Sequence, residues 1–116
     1  MKRNPLPEEA DHLVAVGEAV AAVLAEKRDE LSMSSEIEAL LRASITEATS
    51  SINAYLGVLA GAKKSRGALS HLAAARSRCD GNIRQLRRRI MRSITELYRY
   101  VNHREIGAQE VEIRRT

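Results

Sequence analysis

Ten arginines fall between residues 66 and 104: Arg66, Arg76, Arg78, Arg84, Arg87, Arg88, Arg89, Arg92, Arg99 and Arg104. The same stretch has no lysine and only two acids, Asp80 and Glu96. A guanidinium group is always charged and presents its donors as a planar fork that matches a phosphate or a carboxylate. The chemistry on offer is therefore anion recognition. On a helical wheel, Arg78, Arg88, Arg92 and Arg99 lie opposite an apolar line, Arg84 and Arg89 flank them, and Arg76 and Arg87 sit near the core edge. Arg78, Arg92 and Arg99 are spaced at multiples of seven, so the stripe follows the helix axis for about 32 Å. The phosphates of a nucleic-acid backbone offer charges at comparable intervals. Arg78, Arg84, Arg88, Arg89, Arg92 and Arg99 are the candidate nucleic-acid-binding residues. Only Tyr98 and Tyr100 are nearby for base stacking, so the expected contact is with backbone and shape and not with base sequence. A solvated charged face, or a contact with the acidic first half of a neighbouring copy, explains the same residues.

Other chemistry has little to draw on. The three histidines, His12, His71 and His103, are far apart and lack zinc-site spacing. One cysteine, Cys79, is too few for a Cys-rich metal site; it lies on the apolar line and reads as a small core residue. There is no phosphate-binding glycine loop, and the paired acids sit at helix ends, where the helix dipole accounts for them. Arg99 and His103 share a side of one helix and resemble the Arg–His pair of the HEPN ribonucleases, but too few residues separate them. No catalytic residue, metal site or cofactor is expected.

The elements that position the arginines follow from apolar periodicity. Leu69, Leu72, Cys79, Ile83, Leu86, Ile90, Ile94, Leu97 and Val101 recur at helical steps and predict a helix over about 66–104. Asp80-Gly81-Asn82 is its weak point. The phase carries straight across, and an interior glycine costs only about 1 kcal/mol, so one continuous helix is expected; a break there would make four helices. Before it, Leu13, Val16, Val20, Val23, Leu24 and Leu31 mark a helix over about 7–31, opened by Pro7, Glu8 and Glu9. Ser35 with Glu38 forms a capping-box pattern that starts a second helix over about 35–61. Its apolar face runs Ile37, Leu40, Leu41, Ile45, Ala48, Ile52, Tyr55, Leu56 and Leu59, with small residues on the other faces. The fold expected is an all-α antiparallel bundle of three long helices, the third longest. A basic arm (1–6) precedes the bundle (7–105) and an extended tail (106–116) follows it, the alternation there also suiting an added strand.

Short connections make neighbouring helices antiparallel, so a third helix of about 58 Å overruns the other two by about 20 Å. The overhang is expected from Met91, with Ile94, Leu97, Tyr98 and Val101 unpartnered, the mark of a partner interface or a homo-oligomer.

Composition limits the rest. A chain of 116 residues with no Trp or Phe is one domain with an aliphatic core. The net charge of +4 hides a split, with −5 over residues 1–61 and +9 over 62–116. That asymmetry points to a polyanionic partner or to charge-complementary subunits. No apolar run reaches the ~18 residues of a membrane span and nothing resembles a signal peptide, so a cytoplasmic protein without a membrane partner is expected.

Leu41-Arg42-Ala43-Ser44-Ile45, Ala62-Lys63-Lys64-Ser65, Leu72-Ala73-Ala74 and Leu86-Arg87 together resemble the Avd-like family of small basic helical bundles. That family includes the accessory proteins of diversity-generating retroelements and relatives encoded in ribosomal RNA intervening sequences. The resemblance covers about 50 residues. It implies a four-helix bundle, ring assembly and a basic surface that engages RNA and a reverse transcriptase; the chain departs from it in lacking aromatics and a clear fourth helix. The expected function is a non-enzymatic accessory subunit that binds a nucleic-acid backbone within an oligomer or larger nucleoprotein complex. The alternative is an interaction bundle that docks a protein through residues 91–104 without nucleic acid.

Overall fold

A computed structural model describes the backbone of residues 10–62 and 69–115 and the side chains of residues 10–61 and 70–102. The arm at 1–6, the helix start at Pro7 and the connection at 63–65 lie outside those residues. Among the described residues there are three helices and no strand: α1 (Asp11–Lys27), α2 (Ser35–Ala62) and α3 (Leu69–Arg115). The helices pack on one another as an all-α antiparallel three-helix bundle, with α2 running against both α1 and α3. The Avd-like resemblance implies four helices; these residues form three.

On α3 the apolar line packs as the periodicity predicts. Cys79, Ile83 and Leu86 are fully buried and Ile90 nearly so. Burying side chains of this size is worth about 2 kcal/mol each. The helix passes through Gly81 without a break. Ser93 completes the seam, its hydroxyl donating to the Arg89 carbonyl at 2.7 Å, so a buried polar group is satisfied within its own helix.

α1 is rotated from the expected face. Its buried residues are Gly17, Ala21 and Leu24, with Ala10 just ahead of it, while Val16 and Val20 are half-buried and Val23 is exposed. The cause is close approach. A Cβ on Gly17 would lie 3.2 Å from Ile45 Cγ1 on α2 and 3.4 Å from Leu86 Cδ1 on α3. The smallest side chains of α1 thus occupy the tightest point, and its valines flank them.

The helical turns of α1 continue past Lys27. The N–H groups of Ser32 and Met33 donate to the carbonyls of Asp29 (3.3 Å) and Arg28 (2.8 Å). Ser32 adopts φ +55°. This is a Schellman closure with serine in the left-handed position usually held by glycine, and it buries Met33. α2 is then capped by Ser34, whose Oγ accepts the Glu36 N–H at 3.2 Å. The Ser35–Glu38 box does not form. Glu38 instead accepts Arg42 Nε at 2.7 Å and Arg28 Nη1 at 3.3 Å, because two guanidinium partners satisfy a carboxylate better than one amide.

Two expectations about the far end of α3 are corrected. Ile94, Leu97 and Tyr100 pack on the core cluster that includes Met33, Leu41 and Ile90, as do Leu31 and Ile37. The segment expected to overhang from Met91 therefore shares, through Ile94, Leu97 and Tyr100, the core reached by the turn at 28–33 and the first turn of α2. Residues 106–115 are helix and not an extended tail, since α3 continues through Gly107 to Arg115, and Thr116 lies outside the described residues. The segment has no proline, its Gln, Glu, Ala and Arg are good helix formers, and extending an existing helix avoids the cost of nucleation.

Candidate nucleic-acid interface

With its inner face settled by packing, α3 turns the opposite face outward. Arg78, Arg84, Arg88, Arg92 and Arg99 are exposed. Among the described residues, Arg78, Arg84, Arg88 and Arg92 make no hydrogen bond or ion pair with the protein. Arg84, Arg88 and Arg92 follow one another at four-residue steps, each advancing about 6 Å along the axis. Among the described residues no acid pairs with them. The two acids of residues 70–102 are taken up elsewhere, Glu96 by Arg99 at 3.3 Å and Asp80 by Arg76 at 3.2 Å. A row of unpaired guanidinium groups produces a positive field that concentrates anions.

The six candidates are not equivalent. Arg99 is exposed but shares its charge with Glu96. Arg89 is half-buried, and with the Gln85 amide oriented to suit both groups, the Gln85 oxygen accepts from Arg89 Nη2 at 2.9 Å and Nε at 3.1 Å. The open set is therefore Arg78, Arg84, Arg88 and Arg92. Arg87 and Arg76 lie at the core edge as the wheel predicts, both half-buried.

Arg76 shows what a structural arginine does on this helix. Its guanidinium lies 5.6 Å from the centre of the buried Tyr55 ring, donates a long hydrogen bond to the Tyr55 hydroxyl (3.4 Å) and pairs with Asp80. Its pKa is held above the ordinary arginine value, first by the Tyr55 hydrogen bond, against the opposing effect of burial, with the Asp80 carboxylate adding to the rise. A raised pKa means that the contribution to stability is complete below the ordinary arginine pKa and is lost only above it. This tie between α2 and α3 therefore persists across the whole ordinary pH range.

The four expected interface residues divide in two. Ile94 and Leu97 are half-buried against the core, while Tyr98 and Val101 are 68% and 40% exposed. Met91, 62% exposed, belongs with the second pair. Its step of seven from Tyr98 was the available signal, but Met91 does not fall on the apolar line. His12 and His71 are exposed, and the side chain of His103 is outside the described residues. No group of three or more His, Cys, Asp or Glu is placed to hold a metal ion among the described residues. No described helix is long and apolar enough to cross a membrane.

The class that fold and surface define is a three-helix bundle with one arginine-bearing outer face. No family model, curated protein or solved structure matches the chain.

Proposed function

We propose that this chain is a non-enzymatic accessory subunit that binds the backbone of a nucleic acid along the outer face of α3, within an oligomer or a larger nucleoprotein complex in the cytoplasm. The observation that carries the reading is the row Arg84, Arg88 and Arg92, exposed and without a hydrogen-bond or ion-pair partner among the described residues. Arg78 and Arg99 extend it. Arginine forks suit bidentate phosphate contacts. Only Tyr98 stands near the row as an exposed aromatic, so binding depends on charge and shape. The Avd-like resemblance makes RNA the first ligand to try.

The test is a mobility shift with RNA and with duplex DNA at several salt concentrations, beside the 260/280 nm absorbance ratio of the purified protein. Three or four phosphate contacts give a slope of log K against log salt of about −3. Reversing Arg88, Arg92 and Arg99 to Glu abolishes the shift, and replacing Arg88 alone lowers the slope by about 1. The reading fails if the wild-type chain gives no salt-sensitive shift with either nucleic acid. The exposure of Met91 and Tyr98 favours a second reading, a bundle that docks a protein partner.

A further inference from the structure

Five large apolar side chains are exposed among the described residues: Val23, Leu56, Met91, Tyr98 and Val101. Helical phase places four of them, all but Leu56, along one seam. Two polar contacts fix which side of each helix faces α2: Asn82 on α3 donates to the Glu47 carbonyl (3.4 Å), and Arg28 at the end of α1 pairs with Glu38 (3.3 Å). At about 100° per residue, Met91, Tyr98 and Val101 lie on the flank of α3 turned away from Asn82, and Val16 and Val23 on the flank of α1 turned away from Arg28. With α2 on one side of both helices, these flanks open together onto the other side, over half-buried Ile94. α1 and α3 run parallel, and the contact of Gly17 with Leu86 sets their relative height. Val23 therefore stands level with Arg92, beside Met91.

The two walls of the seam differ in charge. On the outer side of α1, Glu26 is exposed and without an ion pair among the described residues. On the outer side of α3 the unpaired groups are arginines. We infer that a second copy of this chain docks across the seam about a two-fold axis parallel to the helices, so that α1 of each copy lies on α3 of the other. Such an axis preserves height. Glu26 of one copy then comes alongside Arg92 of its partner, about one turn away, and the apolar ridges meet between them. An axis perpendicular to the helices would lay α3 on α3 and α1 on α1, opposing like charges. This assembly goes beyond the nucleic-acid reading and does not rest on it.

The experiment is sedimentation velocity of the full chain, freed of nucleic acid, across a wide concentration range. A dimer is expected. Tyr98→Glu and Met91→Glu change exposed residues, leave the helical circular dichroism intact and weaken the dimer at least about tenfold, whereas Tyr98→Phe retains it. Glu26→Arg weakens the dimer, and adding Arg92→Glu to that variant restores it. A monomer at every concentration overturns the inference, as does a dimer indifferent to Tyr98→Glu and Met91→Glu, or a seam that takes up a different protein while the chain itself stays monomeric. Failure of the charge swap to restore the dimer overturns the parallel arrangement. Because dimerisation is read without nucleic acid, its outcome is separate from that of the mobility shift.

Discussion

The inner and outer faces of α3 are made from the same backbone and even share a residue type, yet they follow different rules. Inside, position is decided by volume: Cys79, Ile83, Leu86 and Ile90 fill the space left by α1 and α2, and Arg76 is accepted only at the edge, with its charge engaged by Tyr55 and Asp80. Outside, Arg84, Arg88 and Arg92 are exposed and make no hydrogen bond or ion pair among the described residues. Arginine on this helix therefore forms two populations, one that holds the chain together and one that is free for a ligand. Counting arginines merges the two; burial and partners separate them.

The contrast can be tested by substitution, residue by residue along one helix. Leu86→Ala removes a fully buried side chain at the three-helix crossing and should cost about 3 kcal/mol in chemical denaturation. Arg76→Ala loses the contact with Tyr55 and the pair with Asp80, with an expected cost of about 1 kcal/mol. Gly81→Ala should act in the opposite direction. A Cβ there meets nothing within 4 Å, so the better helix former gains close to 1 kcal/mol and raises the melting temperature. Arg88→Ala should stay within about 0.5 kcal/mol of wild type while weakening any nucleic-acid shift. If Arg88→Ala instead destabilised the chain as much as Arg76→Ala does, the division into two populations would be wrong.

Much of α3 could be read from residue spacing alone. Its inner line, its continuity across Gly81 and the outward position of Arg78, Arg84, Arg88 and Arg92 all follow from a phase that never resets. The buried face of α1 is less legible because its tightest contact is made by a residue with no side chain. Gly17 and Ala21 give no hydrophobic signal, so the valines beside them stand out as the face. The reach of the bundle is hidden from residue spacing for a different reason. A backbone closure at Ser32, in a conformation serine rarely adopts, brings Leu31 and Met33 to the core cluster on which Leu97 and Tyr100 also pack, and nothing in the local composition announces it. The engagement of Arg89 by Gln85 depends on rotamers and lies beyond what periodicity can convey.

α3 continues as helix past Val101 to Arg115 without a joint. An unbroken helix transmits rotation as well as distance, much as a shaft does. One residue inserted just after Val101 would advance everything beyond it by only about 1.5 Å but turn it by about 100° relative to the bundle, whereas seven inserted residues would nearly restore the original angle while moving it about 10 Å outward. Whatever meets the far end of α3 is thus aimed by the packing around Leu86 and Ile90, and its direction is written in the residue count between them.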